Sequence, residues 1–232
     1  MAAIKRFYRQ ADKLAAGSGF SITLDGRPIK TPLKGELIAP TIAMADALVA
    51  EWQSVGDRID PAQMPMTRFL NSSLDRVQGR RQSVIDEIAA FGATDLSCYR
   101  AEAPDSLVAA QNKHWNPPLS WLKSTHRIPL ATTCGLSPVA QDEKALGALR
   151  VLIAGLDDHR LMALHSATLL SGSVVLALAY LYGQLNCDDL KAAAMVDEDH
   201  QMARWGEDEE AMARRQALIR EFDDLDCWLS LL

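Results

Sequence analysis

From Gly19 to Leu24 apolar and small or polar residues alternate at period two, which predicts a strand with one buried face. Asp25-Gly26 follows with the positive-φ chemistry of a tight hairpin. Arg27–Pro32 is then the return strand, and its two prolines confine it to an edge or an irregular ribbon. Upstream, Ile4, Phe7 and Tyr8 run almost directly into strand-like sequence, and residues 36–39 predict a short third strand. At Thr41 the period turns helical. Ala45, Leu48, Val49, Trp52 and Val55 recur at helical spacing, and Gly56 ends the run.

The helical period then persists to the end of the chain. A proline-containing connection, residues 59–66, leads into a short helix over 67–77. The next helix covers 82–91, with Val84, Ile85, Ile88 and Phe91 on one stripe and Gly92 as its stop. Further helices are predicted over 105–123, 138–154, 157–170, 174–184, 188–204 and 207–231. Ser137 before Pro138 supplies a start signal for the second of these, because proline suits the first helical position. The fold class expected is therefore α+β: an N-terminal α+β domain over residues 1–79 and a larger all-helical domain over 80–232. The loop-like Gln78-Gly79-Arg80 marks the boundary.

The longest apolar stretch, Leu161 to Leu185, contains His165 and is broken by Ser171-Gly172-Ser173, leaving two pieces too short to span a bilayer. A buried helix pair joined by a tight turn is expected there instead of membrane insertion. The start at Met1 shows neither a secretory signal nor an Arg/Ser-rich transit peptide. Four scattered cysteines without a C-x-x-C pair suit a reducing compartment.

Composition adds little, since 48% apolar and 23% charged residues describe an ordinary globular chain. Charge distribution adds more. Residues 197–226 hold eleven carboxylates against four arginines, so this segment outweighs the chain's net charge of −6 and the remainder is nearly balanced. A localised acidic face suits a basic protein surface and argues against nucleic acid, although a merely solvated helix face has the same composition.

Motifs for chemistry are missing. Neither G-x-x-x-x-G-K-[ST] nor G-x-G-x-x-G occurs, so no nucleotide cofactor is implied. The five histidines include no i, i+4 pair and no H-E-x-x-H. Asp197 and His200 form an i, i+3 carboxylate–imidazole pair without a second such motif, and no metal site is assigned. Ser171-Gly172-Ser173 is not a nucleophile elbow. Paired carboxylates are plentiful, but an acidic helix supplies them by chance, and no catalytic residue is assigned. Three classes remain open on the residues alone: a specific binding protein, a small enzyme with an acidic helical site, and a generic acidic interaction module.

Helix geometry adds a placement for the acidic residues, although a carboxylate in the first turn of a helix is commonly only structural. Leu218, Phe222, Leu225, Leu229 and Leu232 define a narrow apolar stripe on the last helix. Glu209 lies nine residues before Leu218, about 900° of rotation, and so projects away from that stripe. A carboxylate in the first turn also gains about 0.3–1 kcal/mol from the helix dipole. Trp205, just before the Gly206 break, is expected to pack at the corner or to face a partner.

Several segments stand in a distinctive order: Leu24 to Pro32, Glu51-Trp52, Met64 to Arg68, Asn71 to Arg76, Asp95 to Arg100, Trp115-Asn116-Pro117 with Trp121, and Trp205 to Glu209. Together they resemble the assembly chaperones of the ATP synthase catalytic head, the F(1) complex assembly factor 2 family and its α-proteobacterial relatives. The resemblance implies a chaperone without catalysis or cofactor that binds the unassembled F(1)-ATPase α subunit before it joins β. It places the family's W-G-x-x-E glutamate at Glu209, with Trp205, Asp208 and Glu210 beside it as partner-binding positions. Trp52, Asp25, Gly26, Arg27, Asn71, Asp75, Arg76, Tyr99 and Gly206 match as structural or family-motif positions. Asn116 departs from the family's Trp-Asp-Pro. A monomer in the bacterial cytoplasm is expected, eukaryotic members being mitochondrial. Trp52 has a core-like helical position, so Trp52→Arg is expected to act by destabilisation, lowering the melting temperature in a thermal melt.

Overall fold

The computed structural model describes residues 4–135, 137–206 and 208–232. The chain is α+β and divides into two compact units. One comprises the described residues up to Arg81 together with Asp226–Leu232, and the other Gln82–Leu225.

The first unit carries six strands: β1 (Ile4–Lys5), β2 (Ala11–Ala16), β3 (Gly19–Leu24), β4 (Arg27–Pro28), β5 (Ile38–Ala39) and β6 (Arg58–Ile59). The expected strand β3 is the centre of an antiparallel sheet. It pairs with β2 from Ala11↔Leu24 to Ala16↔Gly19, and with β4 and β5. The β2 partner is hard to see in Ala-Asp-Lys-Leu-Ala-Ala, whose residues have little strand preference; pairing with a buried neighbour overrides that preference. Asp25 (φ +48°) and Gly26 (φ +78°) form the hairpin turn, whose twist matches that of the strands. The return strand extends only to Pro28, and backbone bonding continues singly, with Ile29 N–H donating to Ile22 O at 2.9 Å.

Helix α1 (Ile42–Ser54) is capped by Thr41, whose hydroxyl oxygen accepts from Met44 N–H at 3.1 Å. Its buried Met44, Ala45 and Leu48 cover β2 and β3. Helix α2 (Pro65–Asn71) starts on a proline, and the Glu51 carboxylate satisfies its first free amides, Met66 N (2.8 Å) and Thr67 N (2.9 Å). A π-helical turn (residues 72–77) runs into α3 (Gln78–Ala90). The loop-like Gln78-Gly79-Arg80 is therefore helical apart from Arg80 (φ −142°, ψ 33°). The end of the chain closes this unit: Trp228 is fully buried with its ring 5.8 Å from Phe69, and Thr41 Oγ1 donates to Leu231 O at 2.6 Å.

In the second unit, β7 (Tyr99–Arg100) pairs parallel with β8 (Thr133–Cys134) beside a helical bundle. The bundle elements are α4 (Asp105–His126), α5 (Glu143–Ala154), α6 (Asp158–Ser171), α7 (Val174–Leu181), α8 (Cys187–Ala194), α9 (Val196–Trp205) and α10 (Glu209–Ser230), which belongs to this unit as far as Leu225. The seven residues Val174–Tyr180 are all buried, and a helix apolar on every side belongs at the centre of a bundle. Packing of α4, α6 and α8 around α7 provides that centre. No helix among the described residues is long and apolar enough to cross a membrane.

Two predicted helices need correction. Helix α5 begins at Glu143, not at Pro138, because Asp142 caps it by accepting from Lys144 N–H at 2.9 Å; Ser137-Pro138 lies in the irregular connection before it. The single helix expected over 188–204 is two. The chain turns at Met195 (φ −107°, ψ 12°), where Met195 and Val196 are both buried, so packing breaks the helix where neither glycine nor proline announces it.

Candidate functional site

Helix α9 is oriented by polar contacts to α4. Gln111 Nε2 donates to Asp197 Oδ1 at 2.7 Å, and His200 Nε2 lies 3.0 Å from Ser106 Oγ. Two positions of the acidic, otherwise surface-like sequence are thereby committed to packing, and Glu198, Gln201 and Met202 fall outside that contact. At the C-terminus of α9, Gly206 takes φ +86° and ψ 178°, a combination essentially restricted to glycine, and reverses the chain. Asp208 then starts α10: its Oδ2 accepts from Ala211 N–H at 3.0 Å and its carbonyl from Met212 N–H at 2.9 Å.

Arg215 ties the two helices together through an ion pair with Asp199 at 2.5 Å. Between them lies an open groove of about 440 Å³, with Met202, Ala211 and Leu218 as apolar lining and Glu198, Asp208 and Arg214 as charged lining. Farther along α10 the burial is deep. Phe222 and Leu225 are fully buried, each contributing about 1.5–3 kcal/mol, and Asp223 is engaged by Lys191. That ion pair holds the Lys191 ammonium above the ordinary lysine range.

The acidic segment thus separates into two populations. Asp197, Asp199 and Asp223 are used inside the unit, whereas Glu198, Glu209 and Glu210 are exposed with no hydrogen-bond or ion-pair partner among the described residues. Glu209 is the first residue of α10 and does not line the groove, and neither does Glu210. The Trp205 side chain and Glu207 lie outside the described residues. Unpartnered carboxylates at a helix N-terminus, beside apolar lining, can engage a cationic surface. Among the described residues no group of three or more His, Cys, Asp or Glu side chains is placed to hold a metal ion.

The other motif positions are distributed through the fold, and several do structural work. Trp52 is half-buried, its ring 5.6 Å from Tyr8 at 63°, and its carbonyl accepts from Tyr8 Oη at 2.7 Å. It packs against the cluster of Tyr8, Ala11, Leu24, Ile59 and Met64. Asp25 accepts from Gln10 N (2.9 Å) and Arg9 N (3.1 Å), and these bonds hold its carboxyl below the usual range. Asp75 accepts from Thr31 Oγ1 (2.6 Å) and Leu33 N (2.9 Å), pinning the loop after β4. Asn71 ends α2, Tyr99 stands in β7 opposite Thr133, and Arg27 and Arg76 are exposed.

In the sequence Asp95 stands out only as the first residue of the Asp95 to Arg100 segment. It is completely buried, and its carboxylate accepts from Ser97 N (3.0 Å), Ser97 Oγ (2.7 Å), Ser173 Oγ (2.7 Å) and Val175 N (3.1 Å). Burial pushes the carboxyl above its ordinary value, opposed by all four hydrogen bonds. Sequence reasoning gives Glu198, Met202, Ala211 and Arg214 no role and places Leu218 on the apolar stripe of the last helix, whereas all five line the groove. Their signal was present as helical spacings of four, four and seven (Glu198–Met202, Ala211–Arg215 and Ala211–Leu218), but only the turn at Gly206 brings the two faces together.

Comparison with known proteins gives a consistent picture. The family model described as ATP12 chaperone protein matches residues 5–123. The crystal structure of Atp12 from Paracoccus denitrificans is 38% identical with a TM-score of 0.92, over 98% of this chain and 98% of that one. An Asp-to-Lys mutant of the Paracoccus denitrificans protein matches with 38% identity and a TM-score of 0.92, over 98% and 97% of the two chains. The Atu1473 protein of Agrobacterium tumefaciens is 36% identical with a TM-score of 0.91, over 97% of this chain and 85% of that one.

Proposed function

The chain belongs to the ATP12 chaperone family, and from that premise we propose that it binds the unassembled α subunit of F(1)-ATPase and shields its subunit interface until β replaces it. The observation that carries this reading is the corner after Gly206, where Glu209 and Glu210 are exposed beside the groove with no partner among the described residues. An α subunit awaiting assembly presents an apolar interface that otherwise aggregates, as any large obligate interface does when cut open. A chaperone without an energy source has to cover such a surface reversibly. Moderate affinity with a charged rim meets that requirement, because rim charges set register and on-rate while leaving dissociation accessible. On this reading the protein works as a monomer in the bacterial cytoplasm, and its carboxylates bind and do not catalyse.

The test is size-exclusion chromatography with light scattering on the protein mixed with the cognate α subunit, then with β. A 1:1 complex with α alone, dissolved by β, is expected. Glu209→Lys is expected to weaken capture about tenfold or more with an unchanged melting temperature, because charge reversal places like charges together at the contact. If neither subunit co-elutes and α still aggregates, the reading fails. Capture of unrelated basic proteins with equal affinity points instead to a generic acidic module.

A further inference from the structure

The groove between α9 and α10 combines two chemistries within one open volume of about 440 Å³, well within the roughly 300–1,000 Å³ range of ligand pockets. Met202 and Leu218 are half-buried, and Ala211, also half-buried, lines it with only a methyl group. Among the described charged lining residues, Arg215 is committed to Asp199, which leaves Arg214 against Glu198 and Asp208, the latter also capping α10 through one carboxylate oxygen. Glu209 and Glu210 add further negative charge in the adjoining first turn of α10. The balance at this place therefore favours a cation, and the lining favours an aliphatic or aromatic group beside it.

Resting on the reading that the client is the F(1)-ATPase α subunit, we propose that this groove receives an apolar client side chain whose chain neighbour is lysine or arginine. The apolar group packs on Met202 and Leu218, and the cation meets Glu198 and Asp208. Such a segment is ordinary at the edge of a subunit interface, where an apolar core gives way to a charged rim. The groove then supplies register for capture, whereas exposed Glu209 acts at longer range on the approaching surface.

Two substitutions separate the groove from the exposed charges. Ala211→Leu fills the groove without altering charge, and Met202→Asn makes its lining polar. Each is expected to raise the Kd for the cognate α subunit about tenfold to a hundredfold, the cost of excluding one well-buried apolar side chain. Hydrogen–deuterium exchange on the unsubstituted protein requires no variant: adding α is expected to slow exchange across residues 198–202 and 211–218. If the unsubstituted protein does not bind α at all, the chaperone reading itself fails and the groove assignment falls with it. If it binds α while both variants bind equally well and exchange in the two segments is unchanged, the groove assignment fails and the chaperone reading stands.

Discussion

Asp95 and Asp208 are both carboxylates serving the first turn of a helix, yet one does so out of water and the other in it. Asp95 is buried at the start of α7 and accepts from two backbone amides and two hydroxyls. Asp208 is exposed at the start of α10 and accepts from one amide, while the next two residues, Glu209 and Glu210, have no partner among the described residues. The lesson concerns solvation. A carboxylate taken out of water has to find its donors inside the protein, so its interactions become part of the fold. A carboxylate left in water costs nothing to leave unpaired and stays available to a partner. The acidity that marks this chain is useful for binding only where the fold does not consume it.

The largest effect that sharpens this comparison is expected at the buried member. Asp95→Ala strands Ser97 N and Val175 N in the core and is expected to cost about 2–4 kcal/mol in urea denaturation. Affinity for α, measured where the variant remains folded, is expected to be unchanged. A variant as stable as the parent breaks the comparison, because burial then carries no structural duty. Next in size is the reversal at Glu209 described above, expected to leave stability intact while weakening capture. A lowered melting temperature there assigns Glu209 to the fold and not to the surface.

Removing the open cap, Asp208→Ala, is expected to cost about 1 kcal/mol, the usual value for a helix N-cap, and to increase amide exchange confined to the first turn of α10. The smallest effect concerns pH. Burial raises Asp95 above its unfolded value, so the folded chain holds that proton more readily than the unfolded chain. Its contribution is greatest below the unfolded pKa and diminishes as pH rises through the raised one. Asp95→Asn removes this dependence, so the difference in unfolding free energy between parent and variant is expected to vary with pH across that window. Asp25 has the opposite sign, since its backbone bonds lower its pKa and its contribution is lost as pH falls.

Much of this was legible in the chain, for reasons that differ by element. The alternation of Gly19–Leu24 and the Asp25-Gly26 turn locate β3 and its hairpin, because strand period and positive φ are local properties. The helical period of Ala45 to Val55 locates α1 within a few residues, and Ser171-Gly172-Ser173 separates α6 from α7 through the left-handed Gly172. The phase of α10 was legible only in its middle: Phe222 and Leu225 are fully buried and Glu209 is exposed, whereas Leu218 and Leu229 are half-buried, Leu232 is exposed, and Trp228, outside the expected stripe, is the residue buried at the end of the helix. By contrast the bounds and partner of β2 were not legible within the strand-like sequence after Tyr8, because they come from pairing along the whole length of β3. The break at Met195 was equally hidden, since buried side chains, not a breaker residue, make it.

By itself, then, the sequence determined the β3 hairpin and most of the helical segments, where glycine reverses the chain, and that negative charge gathers in residues 197–226. Those are properties of neighbours in the chain, set by side-chain period and backbone sterics. Only the tertiary structure decided which carboxylates of that segment remain available. The distinction depends on donors far away in sequence: Gln111 for Asp197, and Lys191 for Asp223. The tertiary structure also set Met202 and Leu218 across one groove, because two helix faces meet only when the turn at Gly206 and the Asp199–Arg215 ion pair bring them together.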